Sequence, residues 1–294
     1  MKAIVQDTYG NPDVLRLRDI AVPQAGRGEV LVRVAASGVN PLDTKIRAGT
    51  AAHARPVLPA ILGLDLAGVV EQAGPGVHGF AAGDEVYGLT GGVGGLPGSL
   101  AEYAAVDSAL LARKPASLSM REAAALPLAV ITAWEGLVDR ARVRRGQRVL
   151  VHGGAGGVGH VAPVAEYVAA HTDGEGFDVI FDSVGGTTLD RSFEAVRAYS
   201  GHVVSALGWG SHSLAPLSFR GATYSGIFTL LPMLTGRGRA HHGEILRKAA
   251  ALADAGALRP LVDARRFTPW TVADAHQAVE DGTAASKVVV DISE

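Results

Sequence analysis

Val149–Val161 reads VLVHGGAGGVGHV, which sets Gly154-x-Gly156-x-x-Gly159 directly after an apolar strand pattern and before a helix start. Glycines at this spacing allow a tight turn and let backbone N–H groups approach a pyrophosphate, whose charge a helix N-terminus favours. Gly154, Ala155, Gly156, Gly157, Val158 and Gly159 are therefore candidate dinucleotide contacts. The chain holds 38 glycines in 294 residues, so a glycine-rich turn alone is weak evidence and the strand before it carries the assignment. No Gly-Lys-Ser/Thr follows, which removes a nucleoside-triphosphate P-loop.

Other candidates follow later strand patterns. Val184, Ala206-Leu207-Gly208 and Phe228 lie at or near the C-terminal ends of strands, the edge at which open α/β sheets bind ligands. Asp178 and Asp182 fall near the ~20-residue distance at which an acidic residue bonds an adenosine ribose. They flank the strand DVIFD and precede Ser183-Val184-Gly185-Gly186, so they read instead as part of a later strand and loop. Thr132 sits among apolar residues, where its hydroxyl needs a partner. Lys45, Arg47 and Lys287 read as solvated charges, with Lys45 and Arg47 a weaker option for an anionic substrate part.

Several sharper chemistries fail. His241-His242 are adjacent, so they do not share a helix face, and no third ligand is near in sequence. His152-Gly153-Gly154 suggests an oxyanion loop, but the chain has no Gly-x-Ser-x-Gly for a hydrolase nucleophile. The arginines at 140, 142, 144, 145 and 148 read as a solvated helix end. With no cysteine there is no disulfide, thiolate nucleophile or cysteine-ligated zinc.

Two kinds of organisation must position these residues. The first ~110 residues are short strands bounded by Gly, Pro and Asp, with Val30, Val32 and Val34 alternating at period two. Ser119-x-x-Glu122 then forms a capping box before an Ala-rich run that Pro127 interrupts. Beyond it, Arg148–His152, Asp178–Asp182 and His202–Ala206 read as buried strands alternating with helices over 188–199, 243–255 and 272–280. Such alternation indicates a parallel sheet. Lys287–Ile292 is a last strand that returns to the first domain. Apolar residues at 48% and charged residues at 19% exclude disorder, and a formal net charge of −2 gives no field for nucleic acid or an anionic membrane. The longest apolar stretch, 123–134, is too short for a bilayer, and the N-terminus reads as a strand start rather than a signal peptide. The expectation is a cytoplasmic protein acting on a small molecule.

Taken together, Gly38-Val-Asn-Pro-Leu-Asp43, Gly63–Val70 (GLDLAGVV), Gly83–Gly88 (GDEVYG), Leu126–Leu137 (LPLAVITAWEGL), the glycine loop and Asp182–Gly186 (DSVGG) make the chain resemble one family over nearly its whole length. It resembles the zinc-independent quinone oxidoreductase (zeta-crystallin-like) branch of the medium-chain dehydrogenase/reductases. The resemblance implies an α/β protein with a GroES-like β-rich catalytic domain over 1–118 and 264–294. It implies a Rossmann-type nucleotide domain over 119–263, NADPH as hydride donor and a homodimer. It puts Asn40 on the active-site floor, Asp43 in the role of orienting that loop, and Thr132 by the nicotinamide. Where zinc-using relatives carry a cysteine, this chain has Asn40; where they carry Gly-His-Glu, it has Gly63-Leu64-Asp65. Both changes remove good zinc ligands, so no metal is expected.

One departure is larger. After Gly159 the chain meets Pro163 within about one helical turn, and Pro opposes continuation of a helix. Relative to the family, one βαβ portion of about 40 residues is lacking between 162 and 163. An omitted segment, a deletion and a remodelled fold are the available explanations. The lacking part would hold the adenosine ribose and its 2′-phosphate, so the choice between NADP and NAD stays open.

The expected activity is NADPH-dependent reduction of quinones or other activated α,β-unsaturated carbonyl compounds, without zinc. An enoyl-thioester reductase is the near alternative, for which Lys45, Arg47 and Arg55 would have to form a basic entrance. A non-catalytic dimeric protein with a crippled nucleotide site is the alternative from another class.

Overall fold

Val30, Val32 and Val34 are fully buried on one face of a ten-residue strand, as their spacing requires, and the first half of the protein is built around that strand. The computed structural model describes residues 1–153 and 164–293. In chain order it begins with β1 (Lys2–Gln6), β2 (Leu15–Asp19), β3 (Glu29–Gly38) and helix α1 (Pro41–Arg47). There follow β4 (Ala60–Ile61), β5 (Asp65–Ala73), β6 (Glu85–Leu89), β7 (Tyr103–Asp107) and β8 (Leu111–Arg113). Helix α2 (Met120–Ala124) opens on the expected box: the Glu122 carboxylate accepts from the Ser119 backbone N–H at 2.8 Å, and the Ser119 hydroxyl accepts from the Glu122 N–H at 3.3 Å. Pro127 starts a separate helix, α3 (Pro127–Trp134), which runs into a π-helical turn over Glu135–Arg140. The alternating part is β9 (Val149–His152), α4 (Val164–Thr172), β10 (Val179–Asp182), α5 (Thr187–Ala195), β11 (His202–Ser205), α6 (Ala215–Arg220) and β12 (Thr223–Gly226). It is followed by α7 (Leu231–Thr235), α8 (Arg239–Asp254), α9 (Val272–Glu280) and β13 (Val289–Asp291).

The chain divides into two compact units, Met1–Ile131 with Leu230–Glu294, and Thr132–Thr229. These divisions fall elsewhere than the sequence expectation at 118/119 and 263/264. Residues 230–263 sit with the first unit because α8 packs against β8 and β6. The Tyr87 hydroxyl donates to the Leu246 carbonyl at 2.6 Å, an anchor between residues 159 apart in sequence.

The first unit holds an antiparallel sheet in the order β13-β3-β5-β6-β8, with β7 also pairing β3, and a smaller sheet β2-β1-β4. Register in the larger sheet sets Gly38, at the end of β3, opposite both Val289 and Asp65. Three chain segments remote in sequence thereby end side by side. A side chain at Gly38 would bring its Cβ to 2.2 Å from the Ala124 carbonyl, so only glycine lets α2 close over this point.

The second unit carries a parallel sheet in the order β12-β11-β10-β9. Each successive strand adds on the same side. Phe177, Ile180, Phe193, Val196 and Val203 form its core, joined by Leu150, Tyr167 and Val168. A second cluster of Phe181, Val204 and Ile227 is covered by Leu137 and Ala141 from the π-helical turn and its end. A full doubly wound sheet reverses direction beside its first strand. Among the described residues β9 pairs only with β10. This agrees with a nucleotide domain lacking one βαβ portion.

Candidate active site

Asn40 precedes Pro41 and takes the extended backbone that a following proline favours, with φ −115° and ψ 153°. The carboxylate of Asp43, three residues on, accepts the Asn40 backbone N–H at 2.8 Å. Asp43 therefore orients the loop, as the family resemblance implied. The Asn40 side chain faces Asp65 and Lys287. It donates from Nδ2 to Asp65 Oδ2 at 2.9 Å and accepts through Oδ1 from Lys287 Nζ. Lys287 also donates to Asp65 Oδ2 at 2.9 Å. An ammonium is only a donor and a carboxylate only an acceptor, so these two neighbours fix which way the amide faces.

Asp65 is completely buried, and its carboxylate oxygens and its carbonyl are hydrogen-bonded. Its Oδ1 accepts the backbone N–H of Leu128 in the first turn of α3 at 2.8 Å, where a helix N-terminus favours negative charge. Its carbonyl accepts from the Ser99 hydroxyl at 2.7 Å, and Ser99 is bonded in turn to Ser37 at 2.7 Å. Asp43 is also buried, and burial raises its pKa to about 7 against the opposing bond from Asn40. Its Oδ1 has no hydrogen-bond partner among the described residues.

Two sequence expectations are corrected here. Lys287 is not a solvated lysine: its side chain is 17% exposed, and it is locked into the Asn40–Asp65 pair. Arg47 does not face solvent or substrate. It is 2% exposed, bonds Glu280 at 2.6 Å and donates to the Gly10 carbonyl at 3.0 Å.

In the second unit, Asp182 at the end of β10 organises the sheet edge. One carboxylate oxygen accepts the Val184 and Gly185 N–H groups at 3.2 and 3.1 Å, and the other accepts the Ser205 hydroxyl at 2.6 Å. Its role is to shape the loop over 183–186. Asp178 likewise pairs with Arg197 at 2.6 Å. Val184 is exposed on that loop; Ala206, Leu207, Gly208 and Phe228 are half-buried after β11 and β12. Phe228 meets Trp209 edge to face, with ring centroids 5.8 Å apart. Gly208 lies under Tyr224, where an added Cβ would stand 2.2 Å from the phenol oxygen. Thr132 is half-buried in α3. Gly154, Ala155, Gly156, Gly157, Val158 and Gly159 lie outside the described residues.

Two family models match the chain, an alcohol dehydrogenase GroES-like domain over residues 26–116 and a zinc-binding dehydrogenase domain over 157–290. The chloroplastic NADPH-dependent alkenal/one oxidoreductase of Arabidopsis thaliana is 34% identical, over 99% of this chain and 79% of the relative. The chain belongs to the medium-chain dehydrogenase/reductase family. The human quinone oxidoreductase is 40% identical over 55% of this chain and 48% of its own length, which supports the quinone oxidoreductase branch. A crystal structure of an alcohol dehydrogenase superfamily protein from Novosphingobium aromaticivorans superposes with a TM-score of 0.94 at 48% identity, covering all of both chains. The Arabidopsis alignment spans 329 positions against 294 residues here, so at least 35 positions of that relative face a gap in this medium-chain dehydrogenase/reductase.

The zinc that one matching model's name implies finds no ligand set among the described residues. No group of three His, Cys, Asp or Glu side chains able to hold a metal occurs among the described residues. Beside Asn40, both Asp65 oxygens are bonded and an ammonium already stands against them. A cavity of about 740 Å³ exists in the same unit, but neither Asn40, Asp65 nor Lys287 lines it, and its Arg121 and Arg266 are both paired with Asp291.

The residues missed from sequence were Lys287 and Asp65. Each is a charged residue followed directly by apolar ones, in Lys287-Val-Val-Val290 and Leu64-Asp65-Leu66. That pattern is the one signal that could have pointed to them.

Proposed function

We propose that the protein reduces quinones or other conjugated carbonyl compounds by hydride transfer, with NADPH as donor and without zinc. The observation that carries the reading is the polar group at the end of β3, where the Asn40 amide is held by Asp65 and Lys287 in a buried setting. Fixed dipoles in such a setting need no reorganisation when charge develops on a bound carbonyl oxygen, and this is a strong source of catalysis. A reduced nicotinamide, when bound, supplies the hydride. Asn40 is assigned to the substrate carbonyl, and Thr132 to the nicotinamide side of the cofactor. The loop that Asp182 shapes, with Val184, and the 206–208 stretch with Phe228 are assigned to the cofactor, in keeping with ligand binding at the C-terminal edge of parallel strands. The glycine loop over 154–159 is assigned to the pyrophosphate.

The names of the relatives support NADPH and an enone or quinone acceptor. The thioester alternative loses one of its three basic residues, because Arg47 is buried against Glu280. No helix among the described residues is long and apolar enough to cross a membrane. A cytoplasmic homodimer is kept as part of the proposal on the family resemblance, and light scattering tests its mass in solution. The activity is tested by following NADPH oxidation with a small quinone, an alkenal and a crotonyl thioester. Turnover of either of the first two supports the reading. Turnover of the thioester alone, or of none, overturns it.

A further inference from the structure

We propose that Lys287 is itself a catalytic residue, whose third N–H donates to the carbonyl oxygen of the acceptor as negative charge collects there. The inference rests on the reductase reading above and assigns it a second donor beside Asn40.

An ammonium has three N–H bonds and no acceptor. Two of those of Lys287 are directed, one to Asn40 Oδ1 and one to Asp65 Oδ2 at 2.9 Å. The third has no protein acceptor among the described residues. The side chain keeps 17% of its surface open while Asp65 keeps none, so Lys287 is the member of the pair that a ligand can reach. Its base is fixed as well: the Lys287 N–H donates to the Leu261 carbonyl at 3.1 Å, and its own carbonyl accepts from Asp263 at 2.9 Å. A lysine ordinarily loses much rotamer freedom when it binds something. Here that ordering is already complete in the folded protein.

Asp65 is bonded by the Leu128 N–H and the Asn40 amide without any lysine. An apolar residue at 287 would leave both carboxylate oxygens bonded. In the reaction, a hydride pair from reduced nicotinamide forms a bond to the β-carbon, the C=C π pair shifts to the α-carbon–carbonyl bond, and the carbonyl π pair moves to oxygen. Lys287 stabilises that oxyanion and keeps its protons. The proton that completes the saturated ketone is taken at the α-carbon from water.

The test uses the full chain and para-nitrophenol, whose phenolate mimics the oxyanion and whose ionisation is visible as colour. In wild type, bound nitrophenol should ionise at least one pH unit lower than in buffer. The shift should vanish in Lys287→Met and persist in Lys287→Arg. In the same proteins, Lys287→Met should lower kcat for cyclohexenone about 100-fold or more, the usual consequence of losing one oxyanion donor, while NADPH still raises its Tm. Wild type without the colour shift, or a folded Lys287→Met that keeps both shift and turnover, overturns the inference. A shift that depends on Lys287 in a protein that reduces no acceptor upholds the anion-binding lysine and overturns the reductase reading. Should Lys287→Met fail to fold, the Nζ resonance of Lys287 in wild type with isotope-labelled lysine decides: it moves on adding nitrophenolate if the inference holds and stays if it does not.

Discussion

Lys287 and Asp65 meet at 2.9 Å across 222 residues of chain, joining the C-terminal strand β13 to the start of β5. The Asp65 side chain is wholly buried, so the pair differs from the exposed ion pairs of the surface, which contribute about 0–1 kcal/mol. Removing one partner from a buried pair leaves the other without compensation, at about 3–5 kcal/mol. Asp65→Leu strands the ammonium and removes the carboxylate that accepts from the Leu128 N–H, so it should cost at least the lower end of that range in urea denaturation. Lys287→Met leaves the Asp65 carboxylate buried without a cation, so it should cost a similar amount although Asp65 keeps two N–H donors. A loss below about 1 kcal/mol for either variant would show that the pair is worth no more than an exposed one.

Much of this arrangement was legible and its centre was not. Lys2–Gln6 and Val272–Glu280 match their elements residue for residue, because period-two and period-3.6 patterns are local. The Ser119–Glu122 box and the break at Pro127 are likewise settled within four residues. From sequence Lys287 has the look of a solvated lysine, because nothing within ten residues of it reveals that Asn40 and Asp65 lie across the sheet. The same reason explains α8: its place against β8 and β6 depends on contacts such as Tyr87–Leu246, invisible to a reading that follows the chain.

Stability against pH should reveal two buried groups with opposed effects. His276 is wholly buried, and its ring nitrogens have no hydrogen-bond partner among the described residues. Burial, helped by the Arg47 charge, lowers its pKa from 6.5 to about 3. Between those values the unfolded chain binds a proton that the folded protein does not, so stability falls as pH falls. Asp43 is raised from 3.8 to about 7, so between those values the folded protein binds the extra proton and stability falls as pH rises. Each contributes a slope of up to about 1.4 kcal/mol per pH unit, and over the shared window the two cancel. Urea titrations at several pH values should show His276→Leu losing stability as pH rises from 4 to 6.5 relative to wild type, and Asp43→Asn gaining it. Parallel curves for all three proteins would contradict these assignments.

Gly208 should tolerate no side chain while Tyr224 stands over it. Gly208→Ala places a Cβ 2.2 Å from the phenol oxygen, and overpacking of this kind costs about 1–3 kcal/mol. Tyr224→Phe removes the obstructing atom. The double variant should therefore recover part of the loss, a non-additivity that a thermal-melt cycle would detect. Strict additivity would mean that the clash is relieved by movement of the loop.

Asp182 should matter to cofactor affinity more than to chemistry. Asp182→Ala unties the Val184 and Gly185 N–H groups and the Ser205 hydroxyl together. The expected result is a raised KM for NADPH, about 10-fold or more, with kcat at saturating cofactor changed far less. The scale follows from losing bonds worth roughly 1 kcal/mol each. A drop in kcat with KM unchanged would place Asp182 at the reacting centre instead.

The activity assigned to the protein is hydride transfer to a conjugated acceptor. The most direct measurement is acceptor-dependent NADPH oxidation by the purified full chain, with the reduced product identified by mass spectrometry from deuterated NADPH. One deuterium on the β-carbon of a saturated ketone, with turnover sharply reduced in Lys287→Met and Asn40→Ala, is the predicted result. No oxidation with any enone or quinone, in a protein whose Tm NADPH leaves unchanged, would contradict it.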